Sequence, residues 1–307
     1  MPPIKIALVG LGKIARDQHV PALRANEAFD LVAVASPHAK LSGLPNFNDL
    51  PALIKGTPGV NAVALCTPPQ VRFQIACQAL EQGLHVLLEK PPGVTVSEVV
   101  ALEKIASRSG VSLFASWHSR HARGVEPARE WLNQRRIRHI AVTWKENVRV
   151  WHPGQTWIWK AGGLGVFDPG INALSILTHI VPQSLALTSA ELSFPSNCAT
   201  PIAASLSLAG LGFTAQVELD FLQTGTQTWS IEIETDSGRL ALSMGGTDMA
   251  IDGRPVENPP TAEYPQLYKR FAELIHAGLS DVDIAPLQLV ADAFLCGRRI
   301  EVAAFVE

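Results

Sequence analysis

The sequence predicts an α/β protein in which a doubly wound parallel sheet precedes a second α/β domain with a large, mostly antiparallel open sheet. In the first part, strand-length apolar runs alternate with helical segments over about 115 residues, the pattern of a parallel sheet. Its first strand, Ile4–Val9, leads directly into a glycine-rich turn that opens a helix. In the second part, runs with two-residue alternation between positions 203 and 251 indicate antiparallel strands.

The glycine-rich turn has the spacing of a dinucleotide-binding site. Gly10-Leu11-Gly12-Lys13-Ile14-Ala15 is a GxGxxA sequence between a strand and a helix. Gly10 makes the tight turn, and Gly12 lets the backbone approach a pyrophosphate at the helix N-terminus. The strand–helix–strand unit closes at Leu31–Ala35. We therefore predict a Rossmann domain that binds a nicotinamide dinucleotide.

The second strand ends in Ser36-Pro37-His38-Ala39-Lys40, without an acidic residue. Asp or Glu at this point would bind the ribose 2′-hydroxyl of NAD. A hydroxyl, an imidazole and an amine are present instead, and no carboxylate repels a 2′-phosphate. We predict a preference for NADP, with tolerance of NAD as the alternative.

The strand predicted over 85–89 ends in Glu89-Lys90-Pro91-Pro92. Open α/β sheets bind ligands at the carboxyl ends of their strands, and the prolines prevent this strand from continuing. Lys90 is therefore a candidate for chemistry, a solvated lysine being the alternative. The other elements of the first part are predicted in this order: a helix over 48–55, a strand over 62–66, a helix over 71–82, a helix from a capping box at Thr95 to Gly110, and a strand over 111–117.

Six of the seven tryptophans lie between positions 117 and 159. Trp151-His152-Pro153-Gly154 and Trp157-Ile158-Trp159 lie in a loop-like stretch rich in glycine and proline. Flat apolar faces beside polar groups suit a sugar, whereas packing in a core is the alternative.

Asp168 and Asn172 are four residues apart at the start of a predicted helix, so both lie on one face if both are helical. Asp168 before Pro169 also has the pattern of a helix N-cap. Two last helices are predicted, over 264–277 and from 286 to about 304.

Composition excludes several classes of protein. The 307 residues are 47% hydrophobic and 17% charged, with a net charge of −3 and a pI near 6.3, which argues against binding to nucleic acid or to an anionic membrane. Four scattered cysteines indicate neither a metal site nor a disulfide framework. The sequence shows no signal peptide and no apolar run of membrane-spanning length, so we expect a cytoplasmic protein.

Three of these motifs together resemble the Gfo/Idh/MocA oxidoreductase family over essentially the whole chain: GxGxxA, the central Glu-Lys-Pro, and Gly162-Gly163 followed after four residues by Asp168. The runs KENVRVWHPGQTWIW and GGLGVFDPGINALSI resemble more specifically the bacterial aldose 1-dehydrogenases for L-arabinose and D-galactose. That resemblance implies oxidation of a pyranose at C1 to the lactone, with hydride passing to NAD(P). It also implies a C-terminal open sheet that often serves as a homodimer interface.

The resemblance places the lysine and aspartate of the family on Lys90 and Asp168, which we expect to act as a pair at the sugar O1, the proton acceptor being left unassigned. Most members have histidine four residues after that aspartate, where this chain has Asn172. The residues expected around the sugar are Glu146, Trp151, His152, Asn172, Trp229 and, as a weaker candidate, His118. Those expected at the cofactor are Gly10, Gly12, Lys13, Ile14, Ser36, His38, Cys66, Thr67, Pro68, Glu89 and Lys90.

The expected function is that of an NAD(P)-dependent aldose 1-dehydrogenase. The alternatives are a dehydrogenase of an inositol or another polyhydroxylated ring, and a non-catalytic regulator that binds NADP. Retention of both Lys90 and Asp168 argues against the regulator. We expect an NAD(P)-binding domain over residues 1–120 and a substrate-binding and oligomerisation domain over 121–307, with the last helix packing back on the first domain.

Overall fold

The computed structural model describes residues 2–307. The chain forms two compact units: one comprises the residues up to His118 together with Glu263–Ile284, and the other comprises Ser119–Ala262 together with Ala285–Glu307. Each unit is built on its own sheet. The predicted fold class, a parallel Rossmann-type sheet plus a mostly antiparallel one, is confirmed.

The strands in chain order are β1 (Ile4–Val9), β2 (Phe29–Ala35), β3 (Asn46–Phe47), β4 (Ala62–Leu65), β5 (His85–Leu88), β6 (Leu113–Ala115), β7 (Ile137–Lys145), β8 (Ala186–Pro195), β9 (Ala203–Gly210), β10 (Phe213–Asp220), β11 (Thr228–Thr235), β12 (Gly238–Ser243), β13 (Asp248–Ile251), β14 (Arg254–Val256) and β15 (Arg298–Val302). The α-helices are α1 (Val20–Arg24), α2 (Leu50–Gly56), α3 (Pro69–Glu81), α4 (Val96–Ser109), α5 (Val125–Leu132), α6 (Val148–Trp151), α7 (Phe167–Ile180), α8 (Glu263–Ala277) and α9 (Ala285–Cys296).

The first unit has six parallel strands in the order β3-β2-β1-β4-β5-β6. Every residue of β4 is buried, because helices cover both faces of a doubly wound sheet. The predicted capping box of α4 is present: Thr95 accepts from the Glu98 N–H, and the Glu98 carboxylate accepts from the Thr95 N–H. Gly110 ends that helix with a φ of 66°, a left-handed conformation that favours glycine.

The second unit has nine strands in the order β14-β13-β12-β11-β7-β10-β9-β8-β15. Two of its strand pairs are parallel, β7 with β10 and β8 with β15, and the others are antiparallel. Helix α7 packs against β7 and β11 and contacts both α5 and α9. The carboxyl ends of the parallel neighbours β7 and β10 therefore lie side by side at one edge of the sheet.

Two expectations about the C-terminal part are wrong. The last helix does not continue to about residue 304: α9 ends at Cys296, and β15 follows, parallel to β8. Gly297 marks the break, because a Cβ there would lie 2.4 Å from the Ala293 carbonyl oxygen, and the β-branched Ile300 and Val302 favour a strand. The helix that packs into the core of the first unit is α8 rather than α9. Within residues 2–307, the structure has no helix with the length and apolar character needed to cross a membrane.

Candidate active site

The turn after β1 has the shape that a dinucleotide requires. Gly10 has a φ of 91°, its N–H donates to the Ala35 carbonyl at 2.8 Å, and a Cβ there would lie 2.9 Å from the carbonyl carbon of Cys66. Only glycine fits this position. At Gly12, by contrast, an added Cβ would meet open space. The turn is therefore closed toward the sheet and open where a pyrophosphate approaches.

Beside this turn lies a cavity of about 490 Å³ in the first unit, at the carboxyl ends of β1, β2 and β4. The strand order reverses between β1 and β4, the point at which open α/β sheets bind their ligands. The buried Thr67 hydroxyl has no hydrogen-bond partner within residues 2–307, so a donor or acceptor is available to a ligand. The predicted residues that line the cavity are Gly10, Gly12, Ser36, His38, Cys66, Thr67 and Pro68. These features fit a nicotinamide dinucleotide.

Sequence reasoning missed part of this cavity, including Asn48, Asp49 and Gln78. Asp49 is the N-cap of α2 and accepts from the Ala52 N–H at 2.9 Å, so its carboxylate is engaged. The signal that could have found Asp49 is its position before Leu50-Pro51, which is typical of a helix N-cap, but no local pattern places that cap beside β2. The predicted Lys13 and Ile14 begin the helical segment that follows the turn, which continues through a π-helical turn over Ala15–His19 into α1. The side chains of Lys13 and Ile14 are both exposed.

Lys90 follows β5 and is half-buried, and its peptide bond with Pro91 is cis. Its backbone N–H donates to Glu89 Oε2 at 2.7 Å. The Glu89 carboxylate is buried, and its Oε1 accepts from Tyr264 Oη at 2.6 Å and from His19 Nε2 at 3.1 Å. Glu89 was expected at the cofactor, but its carboxylate is directed into this buried network. In the structure it supports the backbone of Lys90.

Glu89 and His19 form a buried ion pair. Burial by itself would raise the pKa of Glu89, but the hydrogen bond and charge of His19 outweigh it and hold that pKa well below its ordinary value. Burial likewise opposes the charge of His19, but its polar neighbours, Cys66 foremost, hold the pKa of the imidazole well above its ordinary value. Nδ1 of His19 therefore donates to Tyr268 Oη at 2.7 Å. Burial, followed by the charge of Glu89, raises the pKa of Tyr264, which stays a donor.

His118, the weaker substrate candidate, lies in the first unit with the helix α8. Its Nδ1 is 2.6 Å from Glu263 Oε2, and its ring stacks on Tyr264 with 5.3 Å between centroids. These contacts connect it to the network that supports Lys90.

In the second unit, Glu146 follows β7 directly and is buried. Its N–H donates to the Asp220 carbonyl at the end of β10, so the parallel pair fixes its backbone. Its Oε1 lies 2.9 Å from His152 Nε2, and its Oε2 accepts from Trp229 Nε1 at 2.9 Å. Both oxygens of Glu146 are thus used to orient two of the predicted substrate residues.

His152 also faces Asp168, with 3.6 Å between Nδ1 and Asp168 Oδ2, and Nδ1 is 3.5 Å from Gln155 Oε1. Its ring packs against Phe221, which follows β10, at 5.5 Å. The structure therefore brings together three of the predicted residues, Glu146, His152 and Asp168, in one cluster of the second unit.

Trp151 and Trp229 form an aromatic surface beside this cluster, and the buried Trp144 packs behind Trp229. Trp144 and Trp229 face each other across β7 and β11, with ring centroids 5.9 Å apart. Trp151 lies 4.7 Å from Trp229 and is 40% exposed, whereas Trp144 is buried. Residues 148–159 contain the two tryptophan motifs that were expected to lie in a loop-like stretch, and we call them the tryptophan segment. The segment comprises α6, a turn over 152–155 and the 3-10 turn Thr156–Trp159.

Asp168 is not an N-cap. Helix α7 starts at Phe167 with Val166 as its N-cap, so Asp168 lies within the first turn, buried. Asn172 follows one turn later and is half-buried. The helix places both residues on one face, as their spacing predicts. Lys90 lies in the first unit and Asp168 in the second, and their joint action remains a prediction.

Within the described chain, no group of three or more His, Cys, Asp or Glu side chains is arranged to hold a metal ion. All four cysteines are free thiols.

Comparison with known proteins gives three findings. A family model described as "Oxidoreductase family, NAD-binding Rossmann fold" (GFO_IDH_MocA) matches residues 4–116. A galactose 1-dehydrogenase of Pseudomonas fluorescens is 46% identical over 308 aligned positions that cover all of both chains. The crystal structure of a D-galactose 1-dehydrogenase from Rhizobium etli is 53% identical, covers 100% of this chain and 99% of its own, and superimposes with a TM-score of 0.96.

A 3-ketoreductase from Actinomadura kijaniata, solved with NADP and TDP-benzene, is 20% identical with a TM-score of 0.83, a likeness of fold alone. The family is decided by the two galactose 1-dehydrogenases, which are 46% and 53% identical to this chain over essentially their full lengths. The chain belongs to the Gfo/Idh/MocA family of oxidoreductases, as its motifs predict.

Proposed function

We propose that this oxidoreductase is an NAD(P)-dependent aldose 1-dehydrogenase, which oxidises a pyranose of the D-galactose or L-arabinose type at C1 to the aldonolactone. The observation that carries the proposal is the cluster of Glu146, His152 and Asp168 beside the exposed face of Trp151. Buried carboxylates next to an aromatic face suit a molecule with several hydroxyls and apolar CH faces. Two full-length relatives bear the name galactose 1-dehydrogenase.

The cofactor cavity supports NADP as the preferred cofactor. No acidic residue follows β2, where an NAD enzyme binds the ribose 2′-hydroxyl, and Ser36 and His38 line the cavity instead. Among residues 2–307, Asp49 is the acidic residue that lines this cavity, and its carboxylate is engaged as the cap of α2. A bound nicotinamide supplies the acceptor for the hydride that leaves C1.

Loss of hydride from C1 requires the proton of the C1 hydroxyl to leave as the carbonyl forms. We propose Lys90 and Asp168 as the groups that act at O1. Lys90 follows β5, which pairs with β4, the strand whose end lines the cofactor cavity, and the buried Glu89 holds the backbone of Lys90. Asp168 is buried near His152, an environment that keeps a carboxylate oriented.

Recognition of the sugar is proposed for the aromatic surface and its polar rim. Trp151 and Trp229 offer ring faces, and His152 and Asn172 offer groups for hydroxyls. Because Glu146 uses both oxygens within the protein, its part is to fix the orientation of the imidazole and the indole.

The test is a kinetic panel in which D-galactose, L-arabinose, other aldoses and an inositol are each offered with NADP and with NAD, and reduced nicotinamide is followed by absorbance. We expect turnover of D-galactose or L-arabinose and a higher kcat/KM with NADP. These two sugars share their configuration from C2 to C4 and differ at C5, so their ratio measures the fit at C5. Turnover of the inositol alone would establish the ring-polyol alternative, and no turnover with any substrate would contradict the proposal.

Two further proposals concern the whole molecule. A homodimer that pairs through the open face of the nine-stranded sheet would elute at twice the mass of the 33.0 kDa chain in size-exclusion chromatography with light scattering. A cytoplasmic location would be checked by fractionation of the source cells.

A further inference from the structure

The last residues of the chain are held in a defined position. The C-terminal tail, residues 303–307, follows β15, which pairs with β8. Asn197 lies just after β8 and binds the backbone of Phe305 twice: its Nδ2 donates to the Phe305 carbonyl at 2.8 Å, and its Oδ1 accepts from the Phe305 N–H at 2.9 Å. This reciprocal pair fixes where the Phe305 ring lies.

The C-terminal tail contacts the tryptophan segment near its start, its middle and its end. The guanidinium of Arg149 lies 4.7 Å from the Phe305 ring centroid and donates to the backbone of the tail. The Gly154 N–H donates to Glu307 Oε1 at 2.6 Å. The Phe305 ring lies 4.8 Å from the ring of Trp159. The tail therefore spans the same short segment that carries Trp151 and His152.

A continuous line of rings leads from the tail to the cluster around Asp168. Trp159 packs edge-on against Phe221 at 5.7 Å, and Phe221 packs against His152 at 5.5 Å. His152 in turn lies 2.9 Å from Glu146. A shift of Trp159 would be transmitted to the imidazole through one buried phenyl ring, because close-packed rings leave no space to absorb it.

We propose that Phe305 is a positioning residue for the aldose site, holding the tryptophan segment in the arrangement in which Trp151 and His152 receive the sugar. The proposal rests on the proposed function, because it assigns a role in aldose binding to a residue that touches no substrate. It adds a part of the chain that no sequence motif marks.

The expected signature is a change in KM rather than in kcat or in cofactor affinity. If the segment loses its fixed position, only a fraction of molecules is ready to bind, and the apparent dissociation constant of the sugar rises by the inverse of that fraction. Loss of one aromatic contact is expected to raise KM about three- to tenfold. The cofactor cavity lies in the other unit and contains none of these residues.

Phe305→Ala is the test variant, with Val306→Ala as a matched control, because the Val306 side chain is 73% exposed and its contact with Arg149 uses the backbone carbonyl. Phe305→Tyr keeps the ring and should restore the wild-type KM. Asn197→Ala removes the anchor of the tail and tests the same idea should Phe305→Ala fail to fold. For each protein, we would measure KM and kcat for the aldose, the dissociation constant of NADP, the thermal midpoint, and hydrogen–deuterium exchange of the peptide that covers residues 148–159.

We expect faster exchange in residues 148–159 and a raised sugar KM for Phe305→Ala and Asn197→Ala, with kcat and NADP binding near wild type. Unchanged exchange, an unchanged KM, or an equal loss of NADP affinity would overturn the proposal. The exchange measurement needs no turnover, so it separates the two ideas: a wild-type protein that oxidises no aldose refutes the proposed function, whereas normal exchange in the variants refutes the role of Phe305.

Discussion

Removal of the negative charge at Glu89 is expected to cost more stability than any surface change. The side chains of His19 and Glu89 are 0% and 4% exposed, so Glu89→Gln leaves a buried cation without its partner. Oε1 accepts two hydrogen bonds and Oε2 one. Glutamine has one side-chain oxygen and one NH₂ group. That NH₂ group must therefore face a donor, either the Lys90 N–H or the two donors that bind Oε1, His19 and Tyr264.

The expected decrease in the free energy of unfolding of Glu89→Gln follows from these hydrogen bonds. Hydrogen bonds to a charged group contribute about 1–1.5 kcal/mol more than neutral ones, and three such bonds give roughly 3–5 kcal/mol. Breaking a buried ion pair by removing one partner costs about the same, 3–5 kcal/mol. The matched control is Glu126→Gln, whose carboxylate is 53% exposed and bonds to Arg129 and His179, because a surface pair is worth about 0–1 kcal/mol.

The assay is urea unfolding followed by far-UV circular dichroism, fitted with allowance for two units that unfold separately. The double variant with His19→Gln should lose less than the sum of the two single losses, because it removes both charges. A loss for Glu89→Gln within about 1 kcal/mol of the Glu126→Gln loss would refute the reasoning.

The same pair predicts a dependence on pH. The pKa of Glu89 is lowered in the folded protein, so its stabilisation is present above the ordinary value of 4.5 and is lost as pH falls through the lower folded pKa. The pKa of His19 is raised, so its stabilisation is complete below the ordinary value of 6.5 and is lost as pH rises through the folded pKa. The stability difference between wild type and the double variant should therefore be largest between pH 4.5 and 6.5.

Four further substitutions test the proposed chemistry. Lys90→Met should lower kcat by ~10²–10⁴-fold with folding and NADP binding intact, and near-normal turnover would remove Lys90 from the chemistry. Asp168→Asn should also lower kcat. In steady-state kinetics, the double variant Lys90→Met/Asp168→Asn should lose less kcat than the product of the two single fold-losses, because the two residues act together. Ser36→Asp should move the kcat/KM ratio toward NAD, and a wild type without NADP preference would contradict the assignment. Trp151→Ala should raise the sugar KM and leave the NADP dissociation constant unchanged, with Val150→Ala, a neighbour with an exposed side chain, as control.

The parts of the fold that could be predicted are those whose cause is local. Gly10 must be glycine because its φ is positive and because an added Cβ would lie 2.9 Å from the backbone of Cys66, and the GxGxxA spacing records that need. Thr95 and Glu98 satisfy each other within one turn of helix. Strand β15 was missed because apolar residues recur beyond Gly297, at Ile300 and Val302, and periodicity alone does not show where a helix stops.

The candidate site could be predicted only in part, because its contacts join residues far apart in sequence. Tyr264 reaches Glu89 across 175 positions, and Trp229 reaches Glu146 across 83. A local sequence pattern indicates on which face of a helix or strand a side chain lies, but it does not indicate which distant residue that side chain contacts. The family resemblance placed Glu89 at the cofactor, and only the burial of its carboxylate reveals its place in the core.

The contacts of His152 bear on the choice of proton acceptor. The family resemblance leads one to expect a histidine four residues after the aspartate, whereas this chain has Asn172 there. A carboxamide is not a base at neutral pH. An imidazole nevertheless lies near Asp168, supplied by the tryptophan segment. The polar atoms that face the ring of His152 are oxygens of Glu146, Asp168 and Gln155. A ring placed between two carboxylates in this way can orient them, and Lys90 and Asp168 remain the pair that we propose to act at O1.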